Sequence, residues 1–382
     1  MMRVLQVCGS ADGASWFVDQ VTELERRGYQ IEAVVPGDGT VKERLTRTGT
    51  RVHVIPFRGY HPKDLRRLIR AYRDLSALIR NGSWDIVHAH LFKSFILARV
   101  ILRGRRAPRL VTQVAGTVHL QSRPLAAIDR ATLRWDTILV GSCTEFARTY
   151  ARRGSRRTAV SFYGCRTERF NPATSGTALR DQYGLAPTDV AVGLIAHMYP
   201  TQLKSFRNIG VKGHEVFIDA ALALAEQDSR LRFFIVGDEF VGDGSYRREL
   251  ERRAAPLIDS GRMHFLGHRT DMPDILAGLD ILANPSLSES ASYTMIEASL
   301  MRRPVIGSRV GGLPDTIVDG RTGLLVPPGD AEALAHAVRR LADDPKARQR
   351  MGREGRSHVR EMFDITKTVS TLEEIYREAV EL

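Results

Sequence analysis

Apolar positions fall along this chain in two alternating textures, short continuous runs and longer stretches of helical period. Val4 to Val7 is a short apolar run, followed by the loop Cys8-Gly9-Ser10-Ala11-Asp12-Gly13. From Ser15 to Arg27 the period is helical, with Trp16, Phe17, Val21 and Leu24 on one side and Gly28 as the stop. Strands are predicted again at Ile31 to Val35, Val52 to Pro56, Asp85 to Ala89, Leu110 to Gln113 and Ile138 to Gly141, with helices over Lys63 to Arg80 and Ser94 to Leu102. Strands alternating with helices in this way predict a parallel, doubly wound sheet. The Lys63 to Arg80 segment has Leu65, Leu68, Ile69, Tyr72, Leu75 and Ile79 on one face and Arg66, Arg67, Arg70 and Arg73 mostly elsewhere. A core-facing helix with a solvated basic back is the expectation, and a helix lying on a membrane is the alternative.

A second series begins at Val190 to Ile195 and continues with a helix from His214 to Glu226. Strands follow at Phe233 to Val236, Met263 to Leu266, Asp280 to Ala283 and Pro304 to Ser308. The polar stretch Asn171 to Gly176 separates the two series, and 382 residues are too many for one ordinary core. Two α/β domains are therefore expected, the first over 1–172 and the second over 173–363.

The stretch Asn284 to Asp315 carries the densest chemistry. Glu289 and Glu297 are separated by seven residues, and between them a polar loop gives way to Tyr293, Met295 and Ile296. That change reads as a loop turning into a helix, with Ser292 at the N-cap and Tyr293 and Thr294 in the first turn. A helix start presents free N–H groups and the positive end of its dipole to an anion such as phosphate. Two carboxylates beside a diphosphate would repel it, so neutral donors such as sugar hydroxyls are their expected partners. Val310-Gly311-Gly312-Leu313-Pro314 reads as a tight loop whose glycines let backbone approach a ligand.

Composition narrows the class. A hydrophobic content of 43% is that of a soluble globular protein, and no apolar run is long enough to span a bilayer. Met1 to Val7 enters a strand directly, without the apolar core of a signal peptide, so a cytoplasmic protein is expected. Three widely spaced cysteines, Cys8, Cys143 and Cys165, suggest neither disulfides nor a zinc site and read as small buried hydrophobes. The net charge of +12 is uneven: residues 1–172 carry 30 Lys and Arg against 14 Asp and Glu, net +16, while 173–382 are net −4. A basic first domain is compatible with nucleic acid, an anionic membrane or an anionic substrate, and equally with a solvated arginine surface.

The Asn284 to Asp315 stretch resembles the retaining GT-B glycosyltransferases of family 4, reproducing their E-x7-E motif and V-G-G-x-P loop. The resemblance continues through Gly13-Ala14, Thr117-Val118-His119, Phe162 to Pro172 and Lys212-Gly213. It also takes in Gly237-Asp238, Phe265-Leu266-Gly267, and Thr322 to Val326 with Gly329-Asp330. It implies a GT-B fold, two Rossmann-like domains facing a cleft, with a last helix inside 364–382 crossing back to the first domain. It implies that Glu289 meets the donor sugar, Glu297 the ribose and His119 the sugar, and that Lys212 is a phosphate ligand. Gly267 to Arg269 become candidates for base contact through backbone, and Gly13 for the glycine loop of the first domain. His197 stands where the family has an arginine, and an insert, YPTQLKSFRNIGV, precedes Lys212. Lys204 or Arg207 in that insert, or His197 if protonated, would supply the missing charge.

The reaction implied is transfer from a nucleotide-sugar, a UDP-sugar above others, to a hydroxyl acceptor with retention, the leaving phosphate taking the acceptor's proton. No cofactor and no metal are expected, since Lys212 and backbone N–H groups can neutralise the diphosphate and no D-x-D occurs. A lipid-linked or cell-envelope acceptor, with peripheral contact to an anionic membrane, is favoured over a small-molecule core such as an aminocyclitol. A cationic acceptor of the latter kind would call on Asp12 and Asp19. The rivals are a sugar-nucleotide epimerase or phosphorylase of related fold, and a basic membrane- or nucleic-acid-binding module. Nucleic acid is set aside, because RVILRGRRAPR and ARRGSRR lack interleaved aromatics.

Overall fold

The computed structural model describes residues 1–57, 65–200, 203, 205–206, 208–239 and 242–382. The chain divides into two compact units, the first made of 1–166 and 362–382, the second of 167–361.

Seven strands form the sheet of the first unit: β1 (Arg3–Cys8), β2 (Gln30–Val35), β3 (Arg51–Val54), β4 (Ile86–His90), β5 (Arg109–Val114), β6 (Ile138–Gly141) and β7 (Thr158–Val160). Their order is β3-β2-β1-β4-β5-β6-β7, every pairing parallel, with Leu5 opposite Val87 at the β1–β4 junction. Helices α1 (Ser15–Arg26), α2 (Thr40–Arg47), α3 (Leu65–Asn81), α4 (Phe92–Leu102), α5 (Arg123–Thr132) and α6 (Thr144–Arg152) alternate with them. Parallel strands covered on both faces read as continuous apolar runs, and β1 and β4 are almost wholly buried.

Polar side chains inside this sheet are satisfied by one another. Gln6 donates to the Tyr376 hydroxyl at 2.9 Å, His88 Nδ1 lies 2.7 Å from the same oxygen, and His90 contacts Gln6 and Tyr163. Both histidines lie on β4, which is central to the sheet, between β1 and β5. Burial drives the His88 pKa down to about 3 and that of His90 well below the usual range, so both rings are neutral. Tyr376 belongs to the last helix, Ile365–Glu381, whose Val369, Leu372 and Ile375 are buried with β1 and β2 residues in the first unit.

The expectation for the Lys63 to Arg80 helix is only half met. Its predicted first residues lie outside the described ones, and α3 buries Leu75 and Ile79 while Leu65, Leu68, Ile69 and Tyr72 stay exposed. Periodicity identifies a common face; it does not say how far the neighbouring helices extend beneath it.

The second unit repeats the plan with six strands: β8 (Val190–Ile195), β9 (Leu231–Val236), β10 (Met263–Gly267), β11 (Ile281–Asn284), β12 (Val305–Ser308) and β13 (Gly323–Val326). The order is β10-β9-β8-β11-β12-β13, again all parallel. Its core is built from β8, β9 and β11 side chains against the His214–Ala225 and Ala331–Asp343 helices. All three cysteines are buried, and no disulfide joins any of them among the described residues.

Candidate active site

In the second unit the strand order reverses between β8 and β11. Ligands of a doubly wound sheet bind outside the C-terminal ends of strands at such a reversal. The β8 end leads into Ala196-His197-Met198, and the β11 end into the loop that reaches the Tyr293–Leu300 helix. Both loops are pinned by backbone approaches that only glycine permits. Gly213 has φ +69°, and a Cβ there would lie 2.1 Å from the Pro285 carbonyl oxygen. Gly311 has φ +55°, and its Cβ would stand 1.7 Å from the Glu289 carbonyl oxygen. Leu287 N–H donates to the Val211 carbonyl at 2.8 Å and Gly312 N–H to that of Glu289 at 3.3 Å. The loops bearing Lys212 and Glu289 are thereby stitched together, with the glycine loop behind them.

The result is a direct contact. Lys212 Nζ donates to Glu289 Oε2 at 2.5 Å, the side chains 22% and 12% exposed. The other oxygen of Glu289 accepts from Ser290 N–H at 3.2 Å. Lys212 sits just before the His214–Ala225 helix, whose N-terminal N–H groups face the same loop region. His214 is fully buried beneath it, its pKa lowered to about 3 by burial and then by the Lys212 charge.

Ser292 does occupy the N-cap position of its helix, but its hydroxyl does not cap. It meets Asn284 Nδ2 at 2.7 Å and the Thr294 hydroxyl at 3.1 Å, closing the loop from its two ends. Tyr293, Thr294 and Glu297 are half-buried while Met295, Ile296 and Ala298 are buried, which puts the first three on one accessible face, Glu297 lying four residues after Tyr293 and three after Thr294.

His197 is half-buried, its ring 6.2 Å from Tyr199 and 6.3 Å from His268 between centroids. Burial lowers its pKa, and repulsion from His268 and Lys212 outweighs the pull of Asp238. The imidazole is therefore neutral at pH 7 in the free protein, and it would supply the missing charge only if a bound diphosphate protonated it. The alternatives in the insert, Lys204 and Arg207, lie outside the described residues. Gly267 ends β10 with φ +64° and its carbonyl accepts from Gly237 N–H at 2.8 Å, while the Arg269 side chain is taken by Asp271 at 2.8 and 2.5 Å.

Sequence reasoning missed the prop of this site. Glu215, in the first turn of its helix, accepts from Gly210 N–H at 2.9 Å and from the Tyr246 hydroxyl at 2.8 Å, fixing the end of the insert just before Lys212. An acid near a helix start is so common that nothing in the sequence distinguished it.

The nominated residues of the first unit are turned to internal duties. His119 Nε2 lies 2.9 Å from the Tyr150 hydroxyl and 3.6 Å from Asp129, the ring stacked on Phe92 and its side chain 7% exposed. Burial pushes the Asp129 carboxyl up, but hydrogen bonds and charge from His119 and Arg99 prevail and hold it below the usual carboxylate range. Asp12 accepts from Thr40 N–H at 3.0 Å, at the start of α2, and Asp19 lies 3.6 Å from both Arg44 and Arg166. Gly13 has φ +68° with nothing within 4 Å of its Cβ position, so its turn requires glycine and no close approach does.

Comparison with known proteins agrees with this geometry. The family model described as Glycosyl transferase 4-like domain matches residues 14–164, and that described as Glycosyl transferases group 1 matches residues 204–344. The alpha-D-kanosaminyltransferase of Streptomyces kanamyceticus is 26% identical, covering 90% of this chain and 92% of that one. The UDP-Gal:alpha-D-GlcNAc-diphosphoundecaprenol alpha-1,3-galactosyltransferase of Escherichia coli is 25% identical, over 83% of this chain and 80% of that one. Anabaena Alr3699/HepE, solved with UDP-glucose, superposes with a TM-score of 0.82 at 20% identity, over 98% of this chain and 99% of that one. The chain belongs to the group 1 (family 4) glycosyltransferases, enzymes acting on nucleotide sugars, and has the GT-B fold.

Proposed function

We propose that the chain is a retaining, metal-independent transferase that moves a sugar from a UDP-sugar to a hydroxyl acceptor. The observation that carries this is the Lys212–Glu289 contact at the β8–β11 reversal. A donor diphosphate offers the ammonium a stronger, doubly charged partner. As Lys212 turns to the phosphates, Glu289 is released to accept hydroxyl hydrogens from the sugar. One exchange of partners thus places the positive charge on the leaving group and the carboxylate on the group being transferred. N–H groups at the start of the His214–Ala225 helix add to the stabilisation of the leaving diphosphate. Glu297, on the accessible face of its helix, takes the ribose hydroxyls.

The bond from the anomeric carbon to the leaving phosphate oxygen breaks, and the bond to the acceptor oxygen forms on the same face. The acceptor's proton passes to the leaving phosphate, so no side chain changes its net protonation. UDP is supported by the UDP-glucose complex of the Anabaena neighbour. The basic first half favours a lipid-linked or cell-envelope acceptor, as does the galactosyltransferase that acts on a diphosphoundecaprenol. The kanosaminyltransferase favours the second reading, a small-molecule core.

Labelled UDP-sugar incubated with the enzyme, a membrane lipid extract and, separately, an aminocyclitol tests these readings together. Label in the organic phase, with the anomeric configuration of the donor and unchanged by EDTA, is expected. An inverted product or loss of activity in EDTA overturns retention or metal independence. Label found only in the aqueous aminocyclitol product moves the small-molecule acceptor to first place.

A further inference from the structure

The N-terminal half of α3 is an apolar surface that the described residues of its unit leave uncovered. Its stripe runs from Leu65 through Ile69 and Tyr72 into the buried Leu75 and Ile79, and Leu65 and Ile69 remain 58% and 51% exposed. Opposite it, α4 offers Phe92, Ile96 and Val100, and α5 offers Leu125 and Ile128. Together they enclose an open groove of about 440 Å³ in which Lys93 is the one charged lining residue among the described residues. Isolated exposed apolar residues need no explanation, but a continuous patch of this kind marks an interaction surface.

Its borders are cationic. Arg66, Arg67, Arg70 and Arg73 are exposed along α3, and Arg103, Arg105 and Arg106 follow directly on α4. The acid of α3 is Asp74, 3.7 Å from Arg70, and that of α5, Asp129, is buried against Arg99 at 2.7 Å. The occupant must therefore be apolar at its centre and anionic at its rim. A second copy is disfavoured, because two such faces would set arginine against arginine. A nucleic acid matches the rim and has nothing for the groove.

We infer that this surface docks the protein on an anionic lipid bilayer, α3 laying its exposed apolar stripe at the headgroup–acyl boundary while the bordering arginines meet lipid phosphates. Arginine suits the task, since its stem lies along apolar surface while its head stays at the interface. The surface lies wholly on the first unit; its purpose, bringing the enzyme to a lipid-linked acceptor, rests on the reading above.

Co-sedimentation of the full chain with vesicles of 30:70 phosphatidylglycerol and phosphatidylcholine, against pure phosphatidylcholine, is the test, the lipid ratio being on the order of a typical anionic membrane. Binding to the anionic vesicles alone, weakening with added salt, is expected. Arg66→Glu, Arg70→Glu and Arg73→Glu combined should lower partitioning on the order of a hundredfold or more. Leu68→Asp with Ile69→Asp, at exposed positions that do not endanger folding, should lower it by about tenfold or more. The control Arg350→Glu with Arg353→Glu, exposed on the second unit, should bind nearly as the wild type does. Equal loss in that control, no loss in the Leu68/Ile69 variant, or wild-type protein left in the supernatant at low salt overturns the inference. So does self-association in analytical ultracentrifugation that the Leu68/Ile69 variant abolishes while vesicles are ignored. Thermal stabilisation by UDP, followed in every variant, reports on the donor site separately. Its absence beside intact vesicle binding would sink the nucleotide-sugar reading and leave docking standing.

Discussion

The two units share a plan, a parallel sheet with one reversal of strand order, yet they use the ends of their central strands differently. At the β8–β11 reversal the glycines are both left-handed and crowded: Gly213 against Pro285, Gly311 against Glu289 and Gly237 against Ala196. In the first unit Gly13 is left-handed with nothing within 4 Å of its Cβ position, and Asp12, Asp19 and His90 are engaged by Thr40, Arg44 and Gln6 of the same unit. Topology alone therefore does not make a reactive site. Loops pressed backbone to backbone hold Lys212 and Glu289 at 2.5 Å, ready to be parted by a ligand. The first unit spends its polar groups on holding itself and its last helix together, and its conspicuous free surface is apolar and basic.

The largest effect expected from breaking this contrast is at Lys212. Lys212→Ala should lower kcat by about 10²–10³-fold or more, as loss of a group that stabilises developing charge does. Glu289→Ala should separate the two halves of the exchange. Its kcat falls because the sugar is misplaced, while UDP alone binds as well as before or several-fold tighter, Lys212 no longer being held. Glu297→Ala should chiefly raise KM for the donor. Steady-state kinetics with UDP calorimetry checks all three, and weaker UDP binding in Glu289→Ala would break the exchange model.

Next comes Gly311→Ala. The added methyl meets the Glu289 carbonyl oxygen at 1.7 Å from a backbone with φ +55°, so the loop must move. A tenfold or greater loss of kcat is expected, since displacements on the order of 1 Å carry such costs. Gly13→Ala, strained but uncrowded, should cost about 1 kcal/mol of stability and little turnover. Equal kinetic damage at the two glycines would erase the distinction between the units.

Tyr376→Phe probes the first unit's internal economy. It removes the oxygen shared by Gln6 and His88, leaving buried groups short of a partner, which costs about 1–3 kcal/mol. Calorimetry should show a Tm lower by a few degrees, with UDP affinity unchanged. His88 also sets a pH direction. Its folded pKa of about 3 lies below the unfolded value near 6.5, so stability falls as pH drops through that window, where only the unfolded chain takes up the proton.

How much of this was legible follows from what each signal encodes. The strand and helix alternation is written in local periodicity, and the backbone around the reversal was marked by Gly213 and by Gly311-Gly312. Glu289, Glu297 and Lys212 stood in a recognisable motif, but that Lys212 would be held by Glu289 required the folded distance between residues 77 positions apart. Glu215 and Tyr246 lacked any local mark for the same reason. The α3 stripe showed its face and not its cover. His119 fell in the expected loop, yet the direction of its ring depends on Tyr150 and Asp129, which no spacing rule connects.

The smallest expected effect concerns His197, where the family motif has an arginine. In the free protein burial lowers its pKa, with His268 and Lys212 adding repulsion and Asp238 opposing them. A bound diphosphate adds negative charge beside it and favours the imidazolium. The complex then holds a proton that the free protein lacks, so donor affinity is lowest at high pH. It rises as pH falls through the bound-state pKa and levels off below that of the free protein. Between about pH 8 and pH 6 the donor KM should fall a few-fold while kcat changes little, as expected of a histidine shifted across neutrality. In His197→Ala the KM at about pH 8 should stay near the wild-type value, where the ring is neutral in either state, and the slope should vanish. A slope that survives in His197→Ala would pass the charge to Lys204 or Arg207 in the insert, and Lys204→Ala with Arg207→Ala would then be the variant that raises KM at every pH.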